Sequence, residues 1–261
     1  MRLLAVLLAF LAPAACAQPL YLGILNGADV RVAFQFDAGK WTPAPVSGYA
    51  ANITWIIAFD GRNLGTVASV PLEKPADRTQ TGLQRLTPES QSSVQSKIPR
   101  ARNLVVVSRP NYQDPDQWKP YAPEPNASVL SLARTALSKL AQKQPGEPCD
   151  CPGTMVRILP KPYRSSHGDI LIGVAPVHDA CECHLSEDWF LIRSGQAVTV
   201  RSIYQGEQSL HLIDAGDYDA CGVSQLVFFE EGVGDGPDKF VLFSPRDALS
   251  AEFKIPGPYA Y

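Results

Sequence analysis

Apolar and polar positions alternate along most of this chain in short runs separated by Pro and Gly. In residues 30–36, VRVAFQF, the side chains Val30, Val32, Phe34 and Phe36 fall at every second position. That is the period of a strand with one buried face. ITWIIAF (53–59) and LGTVASV (64–70) flank Asp60-Gly61. Such a pair between apolar runs predicts a tight hairpin, because both residues tolerate positive φ. NLVVVSR (103–109) reads as a buried strand, and further strands are expected at MVRIL, DILIGVAPV, DWFLIRSGQAVTVRSIY, LHLID, QLVFF and KFVLF. One segment has a different period. Val129, Leu132, Ala133, Ala136, Leu137 and Leu140 lie on one helical stripe, predicting an amphipathic helix over 128–142. Asn126 or Ser128 can cap its start, and Pro145 and Gly146 end it. Residues 73–102 show neither period and predict a long loop. Pro110 to Pro125 carries five prolines and is expected to be irregular.

This pattern predicts a mainly β fold of antiparallel sheets, propeller-like or a β-sandwich, with one amphipathic helix. It divides the chain into an N-terminal β-rich region (18–125), a helix and linker (126–146) and a C-terminal β-rich region (147–261). Trp55-IIAFD-Gly61 and Trp189-FLIRS-Gly195 share a spacing 134 residues apart, with Val67 and Val200 in similar places. This reads either as a repeated β-blade or as two ordinary amphipathic hairpins.

The N-terminus changes the setting. Arg2, an apolar run from Leu3 to Ala12, and Ala15 and Ala17 make a signal peptide over 1–17, cut before Gln18. A lipid anchor at Cys16 is the second choice, since Pro13 stands where a lipoprotein box wants Leu. The expected location is periplasmic or secreted. No run approaches the roughly 18 apolar residues of a membrane helix. Removing residues 1–17 takes one cation, leaving 22 Lys+Arg against 26 Asp+Glu, a net charge of −4. Mild acidity without a basic cluster argues against a nucleic-acid partner.

Residues 214–229, DAGDYDACGVSQLVFF, hold the most suggestive chemistry. Asp217, Asp219, Gly222 and Leu226, followed by Val227, Phe228 and Phe229, resemble the calcium loop of FG-GAP or VCBS-type repeats of integrin-like β-propellers. The likeness covers about 16 residues and extends, in its flanking strands, over 189–243. It implies Asp217 and Asp219 as calcium ligands. Two positions depart: Cys221 replaces a third Asp, and Gln225 replaces the closing carboxylate. Calcium wants six to eight oxygens, several charged, and a thiol suits it poorly. Weak or no calcium binding is therefore expected.

Five cysteines remain after cleavage: Cys149, Cys151, Cys181, Cys183 and Cys221. In an oxidising compartment they predict disulfides, with fifteen possible connectivities. Cys221 is either a covalent anchor or the odd thiol. A bridge closing the 30 residues between Cys151 and Cys181 stabilises by roughly 3–4 kcal/mol on the chain-entropy model. The alternative is a zinc or copper site using the two C-x-C pairs with His178 and His184.

Nucleophile-elbow, zinc-protease and phosphate-loop motifs are missing from the sequence. RSSHGD (164–169) brings Ser165, Ser166, His167 and Asp169 together, but local adjacency does not make a triad and a polar turn explains it. Glu230, Glu231, Asp235 and Asp238 could pair as glycosidase carboxylates or form a solvated tip. His211 reads as structural. Tyr112, Trp118 and Tyr121 could line a groove or cover the core. The sequons at Asn52 and Asn126 carry little meaning in a bacterial chain, which the style of the signal peptide suggests. The overall expectation is a non-catalytic binding module of the cell envelope or exterior, with a protein or carbohydrate partner. The alternatives are a secreted polymer hydrolase and a periplasmic metal-binding protein.

Overall fold

The computed structural model describes residues 19–45, 49–50, 52–72, 82–98, 103–120, 131, 135, 156–159, 162–176, 187–193, 199–206, 210–230 and 239–243. The mainly β, antiparallel fold expected from the pattern is what these residues adopt.

The first sheet holds β1 (Leu20–Asn26), β2 (Asp29–Asp37), β3 (Lys40–Pro43), β4 (Ile53–Phe59), β5 (Arg62–Pro71), β6 (Leu83–Leu86) and β7 (Leu104–Val107). Its order is β1-β7-β4-β5-β6-β2-β3, and β1 also pairs with β2. Six of the seven strands therefore close into a ring, a small antiparallel barrel, with β3 extending from β2. The barrel interior is filled by Leu25, Val30, Val32, Trp55, Ile57, Val67, Leu86, Leu104 and Val106. Gly23 belongs to this packing: a Cβ there would lie 2.9 Å from Val30 Cγ1 and 3.1 Å from Val106 Cγ2. The outer face of β1, β2, β4 and β7 is apolar too, carrying Leu22, Ile24, Phe34, Ile56, Ala58, Val105 and Val107. Burial on both faces explains the unbroken apolar runs of β4 and β7.

The single face expected for Val30, Val32, Phe34 and Phe36 is corrected by a bulge. Leu22 pairs with Phe34 and Gly23 with Val32, leaving Ala33 as an extra residue. One inserted residue flips every side chain beyond it. Val30 and Val32 fill the barrel, whereas Phe34 and Phe36 pack outside it.

Residues 83–97 likewise overturn the expected long loop. They form β6 and a helix, α1 (Pro88–Lys97). Thr87 caps α1 by accepting from Ser90 N–H at 3.4 Å, with Pro88 in the first turn. Only Val94 of α1 is buried, against the barrel interior. Of the helix expected over 128–142, Ser131 and Thr135 are described and both are helical; its other residues lie outside the described set.

A second, six-stranded sheet contains β8 (Lys119–Pro120), β9 (Val156–Ile158), β10 (Tyr163–Arg164), β11 (Ile170–Pro176), β12 (Glu187–Arg193) and β13 (Thr199–Gly206). A third sheet is β14-β15-β16: Leu210–Gly216, Gln225–Glu230 and Lys239–Phe243. This three-stranded sheet is the middle layer. Val227, Phe240 and Leu242 pack with the outer face of the barrel. Leu226, Phe228, Val241 and Phe243 pack with Leu171, Trp189 and Leu191 of the second sheet. The N- and C-terminal regions thus share a core. Among the described residues no helix is long and apolar enough to cross a membrane.

Candidate functional site

The loop from Asp217 to Gln225 joins β14 to β15 and sits at the seam between the barrel and the middle sheet. Ala220 (φ +61°) and Gly222 (φ +77°) turn it back on itself. The folded loop brings ligand atoms of Asp217, Asp219 and Cys221 within 4.8 Å of one another. All four carboxylate oxygens already accept hydrogen bonds. Asp217 takes the N–H groups of Cys221 and Gly222, each at 2.9 Å. Asp219 takes the Cys221 N–H at 3.0 Å and, across the seam, the Trp41 indole N–H at 2.9 Å.

Gln225 is fully buried and completes the set. Its Oε1 accepts the Tyr218 N–H at 2.8 Å. Its Nε2 donates to Val223 O at 2.7 Å and Asp219 Oδ1 at 3.1 Å, and lies 3.5 Å from Cys221 Sγ. The amide nitrogen therefore stands where the resemblance would have a closing carboxylate grip an ion. The Cys221 thiol donates to Val223 O at 3.5 Å. Burial, then its hydrogen bond to Asp219, pushes that thiol up from its ordinary value, which disfavours the thiolate needed for metal binding or attack. Burial also raises the Asp217 carboxyl, with the Gly222 N–H opposing and the Asp219 charge adding. Arg109 Nη1 donates to the Asp217 carbonyl at 3.1 Å, a second tie across the seam.

Next to this loop lies a buried cluster of acids and tyrosines. Asp214, on β14, accepts the Asp60 N–H at 3.1 Å and the Tyr218 O–H at 2.9 Å. Asp60 occupies the β4–β5 turn at φ +49°, and its carboxylate accepts from Tyr163 of the second sheet at 3.3 Å. Tyr163 Oη is also 3.4 Å from the Ile213 carbonyl. Tyr112 stacks on Tyr218 with centroids 5.7 Å apart. Burial pushes the Asp214 carboxyl up to about 7, against the pull of its Tyr218 and Ala215 donors. Burial raises Asp114 too, opposed by N–H groups of Trp118 and Asp116. The hydroxyls of Tyr112, Tyr163 and Tyr218 are all pushed upward by burial first and nearby carboxylates second.

The Ser, His and Asp of RSSHGD form the turn between β10 and β11. Ser165 N–H donates to Asp169 O at 2.9 Å, and Asp169 N–H to Ser165 Oγ at 3.0 Å. A different trio does meet here. Ser224 Oγ donates to Asp116, Trp118 Nε1 donates to Ser224 Oγ at 2.9 Å, and His167 Nε2 is 3.7 Å from Asp116. The carboxylate stands between serine and imidazole, whereas nucleophile activation needs the imidazole in the middle. Ser224 is moreover buried.

Of the other sequence candidates, Tyr112 and Trp118 are buried and cover the core instead of lining a groove. Glu230 pairs with Lys239 at 3.6 Å. His211 is exposed and stacks on Phe229 at 6.5 Å. Cys149, Cys151, Cys181, Cys183, His178, His184, Tyr121, Glu231, Asp235, Asp238 and residues 1–17 lie outside the described set. Asp214, Asp60 and Asp116 were missed by the sequence reading. The one available signal was a carboxylate ending the apolar run LHLI. A shallow hollow between α1 and β5, beside Ile57, Val67, Val94 and Lys97, has a cavity volume of about 10 Å³, room for roughly one water and not for a small molecule. Comparison with known proteins gave no matching family model, no matching curated protein and no matching solved structure.

Proposed function

We propose that this chain is a non-catalytic interaction module of the cell envelope or exterior, exported and recognising a protein or carbohydrate. The Asp217–Gln225 loop is its internal brace, a degenerate calcium loop that holds without the ion. The observation that carries this reading is the Gln225 amide, buried among Asp219, Val223 and Tyr218 and bonded to all of them. A donor in that position answers the carboxylates that calcium would otherwise answer, and the donor set falls short of the six to eight oxygens calcium needs. Loop and neighbours tie barrel to sheets through Trp41, Arg109 and Asp60, which is work of architecture.

The test is direct. The mature chain is incubated with panels of polysaccharides, peptides and esters, and both retention and product release are measured. Retention of an envelope polymer or peptide without product release supports the reading. Product release from any of these panels replaces it with a hydrolase.

A further inference from the structure

We infer that Asp214 is a proton-operated latch: as the neutral acid it fastens the barrel to the middle sheet, and its ionisation releases that seam. The latch stands on where the side chain sits. Asp214 is 1 % exposed, and its carboxyl ties the barrel to the middle sheet, with a tyrosine of the second sheet bonded to its neighbours. From the barrel comes the Asp60 N–H and from the loop after β14 the Tyr218 O–H, while Tyr163 of the second sheet shares its one hydroxyl proton between the adjacent Asp60 carboxylate and Ile213 carbonyl. The adjoining Gly216 leaves no slack, since a Cβ there would lie 2.1 Å from Tyr112 Oη.

The charges facing this carboxyl are mostly of its own sign. Asp60 on the β4–β5 turn and Asp114 after β7 both disfavour its ionisation. Tyr112, Tyr163 and Tyr218 face it as hydroxyls that resist ionisation. Asp217 and Asp219 follow on its own loop. Among the described residues, the cation facing the cluster is Arg109, and it is engaged with the Asp217 carbonyl. An ionised carboxylate sealed from water is costly when, as among the described residues, its partners are an N–H and a hydroxyl and not a cation, so the neutral acid is favoured. In that form the Tyr218 bond reverses, with Asp214 donating to the tyrosine oxygen.

The sign follows from linkage. The folded-state value, about 7, lies above the ordinary 3.8. The stabilisation is therefore whole below about 4 and is lost as pH rises to about 7. Two measurements on the full mature chain test the latch. The urea midpoint is expected to fall by roughly 1 M between pH 5 and pH 8, and Asp214→Asn, which cannot ionise, is expected to remove that fall. Hydrogen exchange, corrected for the intrinsic pH effect, is expected to show protection lost over the same range at Asp60 and residues 213–218, while the barrel interior keeps it. An equal fall in Asp214→Asn, or loss of protection spread evenly over the chain, overturns the latch. Should Asp214→Asn not fold, Tyr218→Phe decides: losing a donor to the carboxylate moves the midpoint transition to higher pH, and an unmoved transition refutes the inference.

Discussion

Gln225 and Gly61 show how much rests on single positions at the seam. Gln225→Ala removes the amide donor to the Asp219 carboxylate and one of the two acceptors of the Tyr218 N–H, the other being Gly216 O, in a buried place. A loss of about 2–4 kcal/mol is expected in urea unfolding. Gln225→Glu with Cys221→Asp supplies the carboxylates that the resemblance calls for. In that variant millimolar calcium is expected to raise Tm, whereas the natural chain is expected to respond to neither calcium nor chelator in calorimetry. Gly61 is pinned twice over. It sits at φ +69°, and a Cβ on it would lie 2.6 Å from both Gln117 C and Trp118 O. Gly61→Ala is therefore expected to cost at least about 2 kcal/mol, visible as a lowered urea midpoint with an unchanged slope. The turn at Asp60-Gly61 was legible because its chemistry is local. The segment pressed against it, 56 residues on at Gln117, was not, because nothing in a dipeptide tells which distant backbone will arrive.

At the scale of elements, strands with a steady two-residue period were readable, and two departures mark the limits of that reading. The bulge at Ala33 inserts a residue without disturbing the apolar alternation on either side, so the pattern alone assigns Phe34 to the wrong face. The helix α1 carries a single buried side chain, Val94, and hence no stripe to detect. Its start was nonetheless written in Thr87-Pro88-Glu89, a capping residue, a first-turn proline and an acid near the positive end of the helix. Thr87→Ala is expected to cost about 1 kcal/mol, and circular dichroism should show loss of helix before loss of strand. The repeated Trp hairpins differ in the same way. Trp55 Nε1 donates to Ser69 Oγ at 2.7 Å, which in turn donates to Gln84. Trp189 Nε1 is buried and has no hydrogen-bond partner among the described residues. A common sequence spacing has been put to different use in two sheets.

For the whole molecule, the sequence marked off two β-rich regions but did not reveal that they share one core. Cluster membership crosses the chain from Leu22 to Leu242, and contacts of that separation leave no local trace. The candidate site was legible only in part for the same reason. Asp217, Asp219, Cys221 and Gln225 are neighbours in sequence, whereas Trp41, Asp60 and Tyr163 reach the site from other sheets. The disulfides proposed for the C-terminal cysteines act at this scale too. If one closes the span from Cys151 to Cys181, reductant is expected to lower stability by roughly 3–4 kcal/mol, and mass analysis of alkylated native protein should count a single reactive thiol. The ring made by β1, β7, β4, β5, β6 and β2 has one more consequence, for the order of events in biogenesis. Leu22 pairs with Val107, so a nascent chain emerging N-terminus first must keep β1 half-mated until some eighty further residues have appeared. Closure across so long a stretch is slow, and during that wait the open flank of the first strand is the place where a holding chaperone would act.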